Sequence, residues 1–342
     1  MPTAVRSFGK INIGLLIGDR DDDGFHELRT IYHTIALHDV VRVESRAGMG
    51  IELRSKDERV PLDESNTCYR MAERVCKLLK KRCKLTITIE KKLPVQGGLG
   101  AGSSNAVATL LALERELKAE IGLDDKLRLA AAVGSDVPLF LLGGAVLGVG
   151  HGEQVFPLPD LPELHCVVVT PETGVSTPKA FARWDELREG ETAAGVRARR
   201  SGLTDGDNSD KINAFSRCVD SWLNGILTQQ PQSKRVASGV PGGNGRGDRA
   251  EALLLDLVRA GIENDFERVV FPENPELREV KRALERQGAR YCSLSGSGSA
   301  VYGLFAAREP AEKAAAALTA EGRRALCTTT LSRAQYWQQV WK

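Results

Sequence analysis

The chain has 342 residues, 42% of them hydrophobic and 27% charged, and its 47 Lys and Arg against 45 Asp and Glu leave a net charge of +2. Such a composition excludes disorder throughout, because the apolar fraction is too high and the net charge too low. It supplies no bulk electrostatic drive toward nucleic acid or a membrane surface, and the length suggests about two domains.

The first residues read MPTAVRSFGKINIG, where Arg6 and Lys10 interrupt any apolar leader core, so no signal peptide is expected. Residues 5–15 alternate, with Val5, Ile11, Ile13 and Leu15 on one face and Arg6, Phe8, Lys10 and Asn12 on the other, which predicts a strand. Residues 40–53 read as a hairpin turning at Ala47-Gly48-Met49-Gly50. Met71, Ala72, Val75, Leu78 and Leu79 fall at helical spacing and predict a helix over 66–81. Leu85-Thr86-Ile87-Thr88-Ile89 alternates as a strand that stops by Pro94, and helices are expected at 104–118 and 124–132. The uncharged apolar run 137–150 is closed by Asp136 and His151; its 14 residues fall short of the roughly 20 that span a bilayer.

A domain boundary is expected at Pro157-Leu158-Pro159-Asp160, dividing residues 1–158 from 159–342. A strand is expected at 165–170. Residues 188–210 and 229–249 are rich in Gly, Ser, Asp and Arg and read as surface loops around an amphipathic helix at 212–227. The whole of 186–250 has the character of an insertion, and Arg197, Arg199 and Arg200 read as part of a solvated loop. Helix 275–287, strand 300–305, helix 309–321 and strand 326–331 follow, an alternation that means α+β or α/β. The seven cysteines scatter without a C-x-x-C pair, so reduced, buried thiols in a cytoplasmic protein are expected.

Two glycine clusters share one spacing, at 97–102 (Gly97-Gly98-Leu99-Gly100-Ala101-Gly102) and at 242–247. Context separates them. The first follows a strand and leads through Ser103-Ser104-Asn105 into an apolar helix, where backbone N–H groups and the helix dipole favour an anion. The second is followed by Asp248 and Glu251, whose charge would repel phosphate. The first cluster lacks the Lys-Ser/Thr of a Walker A loop. A third loop, Ser293-Leu294-Ser295-Gly296-Ser297-Gly298-Ser299, is either a plain tight turn or a second cradle for an anionic group.

Lys10 and Asn12 lie two apart on the polar face of the first strand, which either faces water as a sheet edge or aims a lysine into a site. Asp136, in Gly134-Ser135-Asp136-Val137-Pro138, is either a helix cap or a positioned base. The Asp21-Asp22-Asp23-Gly24 run has no EF-hand continuation. Phe25-His26 after it is either structural or a pair that stacks on and hydrogen-bonds a flat base.

Together these segments resemble the GHMP kinase superfamily. The likeness is carried by Gly9-Lys10-Ile11-Asn12-Ile13-Gly14, by Pro94-Val95-Gln96 with the first glycine loop through Asn105, and by Ser295-Gly296-Ser297-Gly298-Ser299. Within the superfamily, Asp23-Gly24-Phe25-His26-Glu27-Leu28, Gly134-Ser135-Asp136-Val137-Pro138, Gly150-His151-Gly152-Glu153 and Asn264-Asp265-Phe266-Glu267 are similar to the branch acting on cytidylyl-methylerythritol. The resemblance spans about residues 5–183 and 262–331.

The resemblance implies an α+β fold of two domains, the N-terminal one similar to the second domain of ribosomal protein S5 and the C-terminal one ferredoxin-like, with ATP and substrate between them. It implies ATP-dependent phosphorylation of the 2-hydroxyl of 4-diphosphocytidyl-2-C-methyl-D-erythritol, with Mg²⁺, in the non-mevalonate isoprenoid route. By the same pattern Asp136 takes the hydroxyl proton and Lys10 orients it. Pro94, Gln96, Gly97, Gly98, Leu99, Gly100, Ala101, Gly102, Ser103, Ser104 and Asn105 wrap the ATP phosphates, Ser104 stands near the metal, and Asn66 stands near the adenine. Asn12, His26, Thr177 and Ser297 hold substrate, and Phe25 and Phe181 flank the cytosine. Phe25 replaces a frequent Tyr, Ala101 a frequent Gly and His151 a frequent Arg. No nucleic-acid or membrane partner is implied, and a monomer or weak homodimer is expected. The alternatives are another kinase of the superfamily, acting on homoserine, mevalonate or a sugar, and a nucleotide-binding regulator without catalysis.

Overall fold

The computed structural model describes residues 2–20, 24–95, 97–171, 174–193 and 262–342. The helix expected at 212–227, the second glycine cluster and the Arg197–Arg200 cluster lie outside the described residues. The chain divides into two units. The first takes Met1–Asn12, Asp19–Pro157 and Thr328–Lys342; the second takes Ile13–Gly18 and Leu158–Cys327.

In the first unit the elements run β1 (Thr3–Arg20, shared with the second unit), β2 (His26–Arg46), β3 (Gly50–Ser55), α1 (Thr67–Leu78), β4 (Lys84–Glu90), α2 (Ala101–Glu116), α3 (Leu123–Val133), a 3₁₀ turn (Pro138–Leu141), β5 (Ala145–Val149) and β6 (Gln154–Pro157). The sheet order is β3-β4-β2-β5-β6, with β1 also paired to β2. The hairpin expected over 40–53 is therefore corrected. The chain does turn between β2 and β3, but β4 inserts between them, antiparallel to β2 and parallel to β3. The insertion puts Leu85, Ile87 and Ile89 beneath α1 and α2, against Val41, Val43, Met71, Val75, Leu110 and Leu113. Burying such a row stabilises the unit by about 1.5–3 kcal/mol per large side chain, more than a two-strand ribbon would gain.

β2 had no counterpart in the sequence reading before residue 40. Residues 30–35 are buried on both faces, so the period-two signal vanishes there. α2 begins at Ala101, three residues before the expected start, because Ala101 and Gly102 at the end of the loop are already helical. The last helix of the chain, α8 (Arg333–Gln339), has no counterpart among the expected elements. A capping box between Ser332 and Gln335 starts it. Tyr336 donates to the Phe140 carbonyl at 2.7 Å and Trp337 to that of Leu142 at 3.0 Å, fastening α8 onto the 3₁₀ turn.

The second unit contains β7 (His165–Val169), α4 (Thr177–Ala193), α5 (Glu267–Glu273), α6 (Pro275–Arg286), β8 (Tyr291–Leu294), β9 (Val301–Phe305), α7 (Arg308–Ala320) and β10 (Ala325–Thr329). Its sheet order, β10-β7-β9-β8, with helices between β7 and β8 and between β9 and β10, is the split βαβ arrangement of ferredoxin-like folds. Residues 186–193, expected to open the loop region, are helical. Buried Trp184 anchors this part of α4, with the Arg268 guanidinium 5.3 Å from its ring centre, and Arg268 pairs with Glu191. Of the described cysteines, Cys68, Cys166 and Cys292 are buried free thiols, but Cys327 is exposed, contrary to the expectation for all. Burial pushes the Cys68 thiol up to about 12, which makes it inert.

Candidate active site

The glycine loop between β4 and α2 opens onto a cavity of about 400 Å³. It is lined by Pro94, Gly97, Gly98, Leu99, Gly100, Ala101, Gly102, Ser103 and Asn105 of the loop, and by Val60, Pro61, Ser65, Asn66, Thr67 and Lys91 from elsewhere in the unit. Gln96 lies outside the described residues. Gly98 and Gly100 have φ of +73° and +67°, in the left-handed region. At Gly100 a Cβ would also come within 2.9 Å of the Phe140 ring and 3.0 Å of Lys10 Cγ, so both the conformation and the space demand glycine. Gly100 occupies the N-cap position before α2, no side chain caps the helix, and no acidic residue sits in its first turn. This terminus carries the partial positive charge that suits an anion.

Three polar side chains follow the glycines. Ser103 is half-buried. Asn105 accepts a bond from Ser7 Oγ at 2.6 Å, which ties α2 to β1. Ser104 Oγ is buried and has no hydrogen-bond partner among the described residues. Asn66 caps α1, its Oδ1 accepting from the Cys68 N–H at 2.9 Å while Nδ2 donates to the Pro61 carbonyl at 2.6 Å. Asn66 therefore shapes the cavity wall as well as lining it.

The loop also reaches β1. The Lys10 N–H donates to the Leu99 carbonyl at 2.9 Å, which places the Lys10 side chain beside the loop. Lys10 is only 2% exposed, so the sheet-edge reading fails. A buried ammonium needs partners. Lys10 Nζ donates to Asn12 Oδ1 at 2.6 Å and stands 3.2 Å from Asp136 Oδ2. Asn12 Nδ2 in turn donates to Thr30 Oγ1 at 2.9 Å. Asp136 does not cap the 3₁₀ turn, so the capping reading fails too. Its Oδ1 accepts from the Tyr32 hydroxyl at 2.9 Å. Lys10 and Asn12 on β1, Thr30 and Tyr32 on β2, and Asp136 after α3 thus form one connected network. Thr30 and Tyr32 escaped the sequence reading because nothing marked β2 as a strand there.

Phe25 is 63% exposed, and its ring centre lies 5.1 Å from that of His151. His26 is buried at the start of β2, whose Leu28 N–H donates to the Gly150 carbonyl at 2.6 Å. Phe25, His26 and the 150–153 loop are thereby gathered at one end of β2.

In the second unit Thr177 Oγ1 and Ser297 Oγ are 2.7 Å apart, and Phe181 packs edge-on against Phe266 with ring centres 4.9 Å apart. The 293–299 loop is more than a bare turn. Asn264 Nδ2 donates to the carbonyls of Leu294 and Gly296, each at 2.8 Å. Glu267 accepts from the Leu294 N–H at 2.9 Å and from Ser293 Oγ at 3.0 Å. Asp265 accepts from the Ile17 N–H at 3.0 Å. The Asn264-Asp265-Phe266-Glu267 motif therefore braces this loop and a neighbouring strand. Among the described residues, no group of three or more His, Cys, Asp or Glu gathers to hold a metal ion, and no helix is long and apolar enough to cross a membrane.

Comparison with known proteins accounts for both units. Residues 66–144 match the model of the GHMP kinase N-terminal domain, and residues 250–324 match that of the GHMP kinase C-terminal domain. A 4-diphosphocytidyl-2-C-methyl-D-erythritol kinase of Solibacter usitatus (strain Ellin6076) is 34% identical over 302 residues, covering 88% of this chain and 80% of that protein. The crystal structure of a 4-(cytidine 5'-diphospho)-2C-methyl-D-erythritol kinase superposes with a TM-score of 0.67 at 28% identity, covering 96% of this chain and 98% of the other. A homoserine kinase from Cytophaga hutchinsonii superposes with a TM-score of 0.62 at 19% identity, over 97% of this chain and 95% of its own, which shows a shared fold. Fold, glycine loop and sequence relatives lead to one assignment: this chain belongs to the GHMP kinase family, alongside the 4-diphosphocytidyl-2-C-methyl-D-erythritol kinases.

Proposed function

We propose that the chain transfers the γ-phosphoryl group of ATP to the 2-hydroxyl of 4-diphosphocytidyl-2-C-methyl-D-erythritol, a step in the non-mevalonate route to isoprenoid precursors. The observation that carries this reading is the pairing of Asp136 with Lys10, 3.2 Å apart, on a strand whose backbone is bonded to the phosphate loop. A regulator without catalysis has no need of that arrangement, and the relatives' shared activity supplies the acceptor.

Phosphoryl transfer asks little covalent chemistry of a protein; it needs alignment, charge neutralisation and a base near the nucleophile. In this reading Asp136 accepts the proton of the acceptor hydroxyl. Lys10 holds the carboxylate in place and adds positive charge where the phosphoryl group passes. Residues 97–105 face the triphosphate, and Val60, Pro61 and Asn66 face the adenine. Asn12 and His26 bind the acceptor, and Phe25 offers a ring face to its cytosine. The substrate roles of Thr177, Phe181 and Ser297 rest on the family pattern.

The orphaned Ser104 hydroxyl, one turn into α2, fits a ligand to Mg²⁺. The ion would neutralise charge on the nucleotide's phosphates, and with no cluster of carboxylates among the described residues it would be carried mainly by the nucleotide's own oxygens.

Incubation with Mg-ATP and, separately, cytidylyl-methylerythritol, homoserine, mevalonate and galactose tests the assignment. Phosphorylated product is expected with the first alone; turnover of another acceptor, or of none, rejects it. Gly100→Ala should weaken ATP binding, because it adds about 1–2 kcal/mol of backbone strain and pushes on Phe140 and Lys10. Calorimetric titration with a non-hydrolysable ATP analogue measures this, and unchanged affinity would remove Gly100 from the nucleotide site.

A further inference from the structure

We propose that Tyr32 is a positioning residue for phosphoryl transfer: its hydroxyl locks the Asp136 carboxylate into the one orientation that meets the acceptor hydroxyl. The proposal rests on the reading of Asp136 as the base.

The Asp136 side chain is 34% exposed, and left to itself such a carboxylate would rotate. Two donors prevent that. Lys10 Nζ engages Oδ2 at 3.2 Å, and the Tyr32 hydroxyl engages Oδ1 at 2.9 Å. An ammonium at the end of a flexible stem sets charge but little direction. A phenol on a ring fixed by packing sets direction, since its O–H lies in a defined plane.

The ring is fixed by a slot built for it. Tyr32 is 2% exposed. A Cβ at Gly148 would lie 2.4 Å from Tyr32 Cε2, and one at Gly152 would lie 2.6 Å from the Tyr32 hydroxyl oxygen. Gly148 faces Thr30 in the β2–β5 register, so the slot is formed by the neighbouring strand and by the loop after it. Gly152 has φ of +100°, a conformation that itself calls for glycine. Against Gly148 the packing is with the ring, which phenylalanine would also supply, while Gly152 leaves room for the hydroxyl. The hydroxyl is the part that requires explanation, and it is directed at Asp136. Burial and the Asp136 charge beside it hold the phenol well above its ordinary value, so it remains a donor.

A double-mutant cycle on the full chain tests this. Tyr32→Phe is expected to lower kcat about ten- to a hundredfold, the range for loss of a hydrogen bond to a charged group. The KM for ATP and the affinity for an ATP analogue should not change, the latter also reporting an intact fold. In the Asp136→Asn background the same substitution should change kcat less than about threefold, because a residue that acts through Asp136 has nothing left to act on. Three results overturn the proposal: near-normal kcat in Tyr32→Phe, an equal fractional loss in both backgrounds, or loss of nucleotide affinity together with kcat. Asp136→Asn alone reports on the underlying reading. Normal turnover in that single variant rejects the base itself, whereas a strongly slowed but measurable Asp136→Asn with additive Tyr32→Phe rejects only Tyr32.

Discussion

Asp136→Asn is expected to lose about 10²–10⁴ in kcat, the usual contribution of a positioned general base, with ATP affinity unchanged. Asparagine keeps the shape of the side chain and can still bond both neighbours, since its amide offers an oxygen to Lys10 and an NH₂ to the Tyr32 oxygen. What it cannot do is accept the acceptor's proton. The nucleotide cavity does not include Asp136 among its lining residues, so the substitution leaves that cavity intact. Steady-state kinetics with varied ATP and varied acceptor separate the two effects. A rise in the KM for ATP with kcat preserved would place Asp136 in binding instead.

Asp39→Ala is expected to have the largest effect on stability. Asp39 in β2 is completely buried, and so nearly is the side chain of Lys91, at 6% exposure, whose Nζ lies 2.5 Å from Asp39 Oδ2. Asp39 Oδ1 accepts from the N–H groups of Lys92 at 2.7 Å and Leu93 at 2.8 Å. These are the residues through which β4 passes into the glycine loop, and Lys91 itself lines the nucleotide cavity. Alanine would leave a buried ammonium and the N–H groups of Lys92 and Leu93 without this partner, a loss of about 3–5 kcal/mol. At about 2–4 °C per kcal/mol for a unit of this size, the melting temperature should fall by roughly 10 °C. ATP affinity should fall with it, because the entry to the loop is no longer held. Asp39→Asn, which retains an acceptor for the backbone, should lose less. Thermal melts with and without ATP check both statements, and a melting temperature within about 2 °C of the parent would refute the account.

How much of this could be read from residues alone differs from element to element. Helix α1 was legible because Met71, Ala72 and Val75 form one apolar stripe over a polar face. β4 was legible because its burial alternates residue by residue. The glycine loop was legible because positive φ and a close approach of Phe140 and Lys10 at Gly100 leave few other residues possible. Lys10 and Asn12 were legible as a pair on one face, though not as buried, since a strand pattern does not say what covers its polar side.

Other features carried no local signal. Residues 30–35 are covered on both faces, so Thr30 and Tyr32 look like any polar residues in a mixed run. The turn at 47–50 is real, yet a turn does not say which strand pairs next, and β4 takes the place that a hairpin would have filled. α8 is seven residues long, too short to be stable alone, and it is held by Tyr336 and Trp337 reaching the carbonyls of Phe140 and Leu142.

The residues by themselves determined which chemistry is present: a glycine-rich turn before a helix, a lysine and an asparagine two apart on a strand, and an aspartate ahead of an apolar run. These follow from backbone conformations and side-chain types that short stretches impose. Only the tertiary structure decided that Lys10, Asp136 and Tyr32 meet, because their contacts depend on strand register and on a loop more than a hundred residues away. Such contacts arise from burial of the whole sheet beneath its helices, a term to which every strand contributes and which no single segment records.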